Sequence, residues 1–277
     1  MADPENYDRD WTQTYYDKLG DQEWQRFHVD AGGRVSLHIH SHYLRQFVAP
    51  GSRVLEVGAG PGRFTQILAE LGCQVVVADL SPVQLALHKQ HASELGFESA
   101  VESRQLVDIC QLDDFETESF DAVIAYGGPL SYVFDRAPDA LAECTRVCKP
   151  GGLVLASVMS LWGTSHKFLT GVLELPPADN ERITSTGDLT PANHAGVNHQ
   201  CHMFKSGELR NLATHAGLEV VAMSASGCLA LTWADEFAKL ESSDSQWQEL
   251  LRMELEASAE PGCLDMGTHL LLVGKKQ

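Results

Sequence analysis

A chain of 277 residues, 44% of them apolar, can bury the core of one large domain with a cap or of two small domains, which excludes a disordered protein. Lys and Arg number 20 against 38 Asp and Glu, leaving a formal charge of −18. A surface that negative repels phosphate backbones and anionic lipid headgroups, so nucleic acid and membrane are poor partners, whereas a neutral or cationic small molecule would not be repelled.

The chain opens on MADPENYDRDW, which is polar and acidic and therefore no signal peptide. Residues 1–50 read as an amphipathic helical cap carrying Tyr7, Trp11, Tyr15, Tyr16, Trp24 and Phe27, and Pro50-Gly51 ends it. The spacing then predicts a strand at 53–57, a helix at 63–71 and a strand at 74–78. A helix at 82–94, a weaker strand at 100–106, a strand at 122–125, a helix at 137–147 and a strand at 152–158 follow. Continuous apolar strands separated by helices mean a parallel sheet covered on both faces.

Residues 160–204 are rich in Trp, His, Pro and Gly without sustained periodicity, and they read as a lid over a functional site. The alternation resumes with a helix at 207–215, a strand at 218–222, a charged helical insertion at 233–259 and a last strand at 269–273 ended by Lys275 and Lys276. The expected architecture is a doubly wound α/β fold with a seven-stranded, mostly parallel sheet over residues 51–277, interrupted by insertions at 160–204 and 225–267. Seven cysteines at scattered spacing make no disulfide framework. No apolar run approaches the ~20 residues of a membrane helix, and the expected location is the cytoplasm.

The most informative segment is VLEVGAGPGRFT, residues 54–65. An apolar strand runs into Gly58, Gly60 and Gly62 just before a helix, where a sharp turn presents unpaired N–H groups to a ligand. The dinucleotide fingerprint is G-x-G-x-x-G; here the third glycine comes one residue early. Glu56, on the strand, would repel a pyrophosphate but suit a ligand bearing an ammonium and a sulfonium. Asp79, closing the next strand, has two carboxylate oxygens for the two hydroxyls of a cis-diol.

These residues resemble the glycine motif of class I S-adenosylmethionine-dependent methyltransferases. The resemblance implies S-adenosylmethionine as cofactor, with Glu56, Gly58, Gly60, Gly62, Asp79 and Leu80 around it. Asp108-Ile109 stands where the family sets an acidic or polar residue and an apolar one against adenine. The segment FDAVIAYGGPL, with Tyr126, resembles the fourth-strand segment that lines the methyl-transfer site, and KPGG at 149–152 resembles the turn into strand five. Many small-molecule members carry a tyrosine-bearing helix that folds over the cofactor, and Tyr15-Tyr16-Asp17 is similar to it, which places Tyr16 among the cofactor contacts.

On the substrate side the sequence offers Tyr126, His40, His194 and His199 as candidates for proton handling or substrate contact. His38 with His42, and His194, His199, Cys201 and His202, carry metal-ligating side chains, but neither set completes a convincing site and no metal is expected. Arg63 could meet a carboxylate or form a structural ion pair, while His88, His91, His166, His215 and His269 read as structural or solvated. The expected function is methylation of a small-molecule O, N or S nucleophile. A non-catalytic S-adenosylmethionine-binding scaffold is the alternative, and an NAD-dependent dehydrogenase is opposed by the early third glycine.

Overall fold

Residues 7–240 and 242–277 are described by the computed structural model; the first six residues of the sequence-predicted cap lie outside them. Three helices precede the sheet: α1 (Arg9–Leu19), α2 (Gln22–Gln25) and α3 (Ala31–Phe47). There follow β1 (Arg53–Val57), α4 (Arg63–Glu70), β2 (Gln74–Asp79), α5 (Pro82–Glu94), β3 (Val101–Leu106) and β4 (Phe120–Ala125). The short α6 (Pro129–Tyr132), then α7 (Ala137–Val147) and β5 (Cys148–Met159), complete the parallel half.

Residues 160–204 are not structureless. They hold α8 (Leu161–Lys167), α9 (Leu169–Glu174), α10 (Pro177–Thr186) and a hairpin of β6 (Asp188–Leu189) with β7 (Cys201–His202). Their local signals are caps rather than periodicity, because helices this short do not complete an amphipathic pattern. Ser160 accepts from the Gly163 amide at the start of α8, and Gly187, at φ +86°, ends α10. The chain continues through α11 (Ser206–His215), β8 (Leu218–Ala225), α12 (Ala234–Phe237), α13 (Ser245–Ala259) and β9 (His269–Lys276).

The strand order is β3-β2-β1-β4-β5-β9-β8, with β9 antiparallel to both neighbours, so the expected seven-stranded, mostly parallel doubly wound sheet is present. β9 runs through Lys275 and Lys276 instead of ending before them, since Lys276 Nζ donates to the Cys148 carbonyl at 2.8 Å and stays bound to the sheet end. On one face α7 packs Leu141 and Cys144 into a core with Val123 and Val154. On the other, α3 buries Val35, Ile39 and Leu44 against Val54, Val75 and Val77, so α3 belongs to the body of the domain. The order in which successive strands are added reverses between β1 and β4, the switch point outside which ligands bind in such sheets. Among the described residues no helix is long and apolar enough to cross a membrane.

Candidate functional site

β1 delivers the chain into the glycine turn at the sheet's carboxyl edge. Gly58 and Ala59 donate to the Ala78 carbonyl at 2.8 and 3.2 Å, fastening the turn to the end of β2. Two glycines are forced by neighbours as well as by backbone. At Gly58, φ +69°, a Cβ would stand 2.5 Å from Pro129; at Gly62, φ +99°, it would stand 3.0 Å from the His88 ring.

A cleft opens above this turn, at the sheet edge where ligands bind in such folds. Its floor is the turn with Asp79, Leu80 and Ile109, and Tyr126 stands on its β4 side. α1 covers it with Thr12 and Tyr16. Gln84 holds α1 there by donating its amide to the Tyr16 and Gly20 carbonyls, each at 3.0 Å, and Ser81 donates to Asp17 at 2.5 Å.

Asp79 lies on the cleft floor, 7% exposed, and each carboxylate oxygen accepts one backbone N–H: Oδ2 from Gly60 and Oδ1 from Ser81, both at 2.8 Å. Burial pushes its carboxyl up to about 6, against the backbone amides that favour the anion. The helix-capping role falls to Ser81, which accepts from the Gln84 amide at 3.0 Å. One lone pair on each Asp79 oxygen is thus left for a ligand.

Glu56 is placed differently from the sequence-based expectation. Its carboxylate does not line the cleft; it accepts from Thr65 Oγ1 at 2.5 Å beneath α4, and burial pushes it up to about 8. The carboxylate that reaches the cleft besides Asp79 is Glu23, also raised by burial, which pairs with Arg26 at 2.6 Å and sits over Gly60. Asp108 is likewise turned to the protein: it accepts from Tyr7 Oη and the Cys110 amide, both at 2.9 Å, and lies 3.6 Å from Arg9. Asp108 therefore fastens the start of the described chain over the cleft, while Ile109 and Tyr7 face the cleft.

Tyr126 lines the cleft with its hydroxyl buried and without a hydrogen-bond partner among the described residues. His40 stands behind it edge-to-face, ring centres 4.9 Å apart. His40 Nδ1 lies 2.7 Å from the Ser36 carbonyl, which requires the proton on Nδ1 and leaves Nε2 bare; Nε2 is buried without a partner. Burial pushes this imidazole down to about 4, so it is neutral at physiological pH.

His199 is one step from the cleft. It stacks on Tyr15 of α1 at 5.3 Å and bonds the Tyr132 hydroxyl at 2.9 Å, joining the 160–204 segment to α1 and α6. His194 is not brought into the cleft, because Asp179 of α10 holds its Nδ1 at 3.0 Å. His202 lies between Asp188 and Glu208 at 2.6 and 2.8 Å; burial opposes its charge, but the two carboxylates prevail and push it up to about 9. These histidines diverge to separate partners, and no group of three or more His, Cys, Asp or Glu able to hold a metal occurs among the described residues.

Arg63 lines the cleft but is anchored, its guanidinium 3.5 Å over the Trp24 ring and bonded to the Trp24 carbonyl at 3.2 Å. Sequence reasoning missed Glu23, Arg26 and Tyr132, which reach the site only through the packing of α2 and α6 around the glycine turn. The nearest signal was the Trp24 to Phe27 aromatic segment.

Residues 54–152 match a sequence model described as a methyltransferase domain. A ubiquinone biosynthesis O-methyltransferase of Xanthomonas campestris pv. campestris (strain B100) is 31% identical over 169 residues, covering 57% of this chain and 65% of the relative. The chain thus spans slightly less than two thirds of the length of that relative. Among solved structures, the CcbJ methyltransferase of Streptomyces caelestis superposes with a TM-score of 0.62 at 17% identity, over 98% of this chain and 99% of that one. The magnesium protoporphyrin IX methyltransferase of Synechocystis PCC 6803 with bound SAH gives 0.61 at 13% identity, over 97% and 99%. With its early-third-glycine turn and its acid at the end of β2, the segment 54–152 matches a methyltransferase domain, and the chain as a whole shares its fold with solved methyltransferases.

Proposed function

We propose that the protein transfers the methyl group of S-adenosylmethionine to a small molecule in the cleft under α1, releasing S-adenosylhomocysteine. The observation that carries this reading is the shared hydrogen bond of Asp79 and Gly60: the diol-binding acid and the glycine turn are one unit at the switch point. In this reading Asp79 takes the ribose hydroxyls, Leu80 and Ile109 flank the adenine, and Gly58, Gly60 and Gly62 pass beneath the methionine portion. Tyr16, with Thr12, covers the cofactor from above. Glu56 acts from below, through Thr65 and the turn.

The cofactor supplies a methyl already activated by a positive sulfonium, so the chain's own residues contribute position and exclusion of water. The relatives named O-methyltransferases support oxygen as the accepting atom. A hydroxyl acceptor then needs hydrogen-bonding groups inside the cleft. Tyr126 is the residue for that role, with its unpartnered hydroxyl, and His40 behind it offers a neutral acceptor nitrogen. His199 positions Tyr132 and the lid rather than meeting substrate, and His194 stabilises α10.

Calorimetric titration with S-adenosylhomocysteine and, separately, NADH tests the reading. Saturable binding of the former alone is expected. Binding of NADH without S-adenosylhomocysteine would return the chain to the dehydrogenases, and S-adenosylhomocysteine binding with no methyl transfer to any of a panel of phenols, catechols, amines and thiols would leave a cofactor-binding scaffold.

A further inference from the structure

A second cavity, of about 660 Å³, opens on the far side of Arg26 and Phe27, which line both it and the cleft. α3, the end of α8 and the start of β9 wall it, and the charged residues on its surface are Arg26, Asp30, Lys167 and Glu254, with the His269 ring among them.

Three of the four oxygens of the two carboxylates accept hydrogen bonds. Asp30 Oδ1 accepts the Gly33 amide at 2.6 Å, capping α3. Glu254, 0% exposed, accepts the amides of Cys228, Leu229 and Ala230 at 2.8, 3.2 and 2.6 Å, fixing the loop after β8. The two cations are ion-paired but make no hydrogen bond through these groups. Lys167 Nζ lies 3.6 Å from Asp30 Oδ2, beyond hydrogen-bond length, and makes no hydrogen bond among the described residues. Arg26 contacts Glu23 at 2.6 Å through Nε, but in a geometry that leaves Nε without a hydrogen bond. Both charges fall on the buried His269 ring, which burial and these cations keep neutral.

The cavity therefore offers free donors and few free acceptors. An ammonium would find a single carboxylate oxygen without a hydrogen bond, Asp30 Oδ2, which already faces Lys167 at 3.6 Å, whereas an oxyanion would give Arg26 and Lys167 the hydrogen bonds that their ion pairs leave unmade. We propose that this cavity holds an anionic oxygen group of the methyl acceptor, a carboxylate or a phosphate, received by Arg26 and Lys167 while the acceptor's nucleophile passes Phe27 into the cleft. The proposal rests on the methyl-transfer reading above for the word acceptor, but the anion preference is a property of the cavity alone. It also reverses what net charge by itself favours: a chain at −18 can bind an anion only where cations are gathered locally.

Benzoate, inorganic phosphate and neutral benzamide, titrated calorimetrically into the full chain with and without S-adenosylhomocysteine, test this. At least one anion is expected to bind the native chain about tenfold or more tighter than benzamide, and Lys167→Gln to weaken that anion about tenfold or more. Lys167→Arg should restore it, and S-adenosylhomocysteine affinity should stay within about twofold in both variants. A response to benzoate alone assigns a carboxylate, to phosphate alone a phosphate. The proposal is overturned if native and Lys167→Gln chains bind the anions alike, or if neither anion binds at about 20 mM. Anion binding that depends on Lys167 in a chain that fails to bind S-adenosylhomocysteine would sink the methyl-transfer reading and keep the anion site.

Discussion

His88 Nε2 lies 2.9 Å from Thr65 Oγ1, directly behind the glycine turn. Arg104 Nε donates to His88 Nδ1 at 3.0 Å, so the His88 proton resides on Nε2 and is donated to Thr65. The Thr65 proton is thereby directed to Glu56 at 2.5 Å. Gly62 leaves the room this ring needs. A side chain read from sequence as structural or solvated thus orients the carboxyl under the candidate cofactor site.

His88→Ala is expected to remove this chain of donors and open a void under Gly62. Leaving a buried partner unmade costs about 1–3 kcal/mol, so chemical denaturation should show a loss of that size. His88→Gln, whose amide can accept from Arg104 and donate to Thr65, should recover part of it. Equal losses in both variants would show that ring packing, not the hydrogen bonds, is what His88 contributes.

Glu56 makes stability depend on pH. Its folded value, about 8, lies above the 4.5 of an ordinary glutamate, so between these limits the folded chain binds more protons than the unfolded one. Stability then falls as pH rises through that window. Asp79, raised to about 6, adds in the same sense, whereas the lowered His40 and His88 act oppositely below about 6.5. The difference between native and Glu56→Gln chains isolates Glu56: the variant should gain relative stability steadily from pH 4.5 to 8, as read by urea midpoints. A pH-independent difference would contradict the burial argument.

Asp79→Ala should weaken S-adenosylhomocysteine and also lower the melting temperature, because the Gly60 and Ser81 amides lose their acceptor. Asp79→Asn keeps an acceptor for one amide and separates the effects. It should fold nearly normally yet bind S-adenosylhomocysteine about ten- to a hundredfold more weakly, from charge-assisted hydrogen bonds of about 1.5–3 kcal/mol. Native affinity in Asp79→Asn would remove Asp79 from the cofactor site.

The Tyr15–His199 stack joins α1 to the 160–204 segment, so the two should open together. Tyr15→Ala, removing an aromatic pair of about 0.5–1.5 kcal/mol, is expected to speed hydrogen exchange in both stretches and leave the sheet unchanged. S-adenosylhomocysteine should protect both stretches in the native chain. Exchange that rises in α1 alone would show that the lid is held by other contacts.

The α/β alternation was legible because strands buried on both faces are continuously apolar and α4 and α5 are followed by the glycines Gly72 and Gly96. That is local chemistry, written in 53–57, 74–78 and 122–125. The glycine turn and Asp79 were legible for the same reason, since one backbone turn and one strand end define them. Side-chain direction was not. Glu56 could face the cleft or Thr65 by sequence, and only the packing of α4 over β1 turns it to Thr65. His194 and His199 stand five positions apart on one loop, yet Asp179 draws one away and Tyr15 stacks on the other. Glu23, Arg26 and Lys167 carry no motif at all. Their charges acquire meaning when α2 and α8 bring them beside cavities, because electrostatic partners are chosen by distance in space and not by distance along the chain.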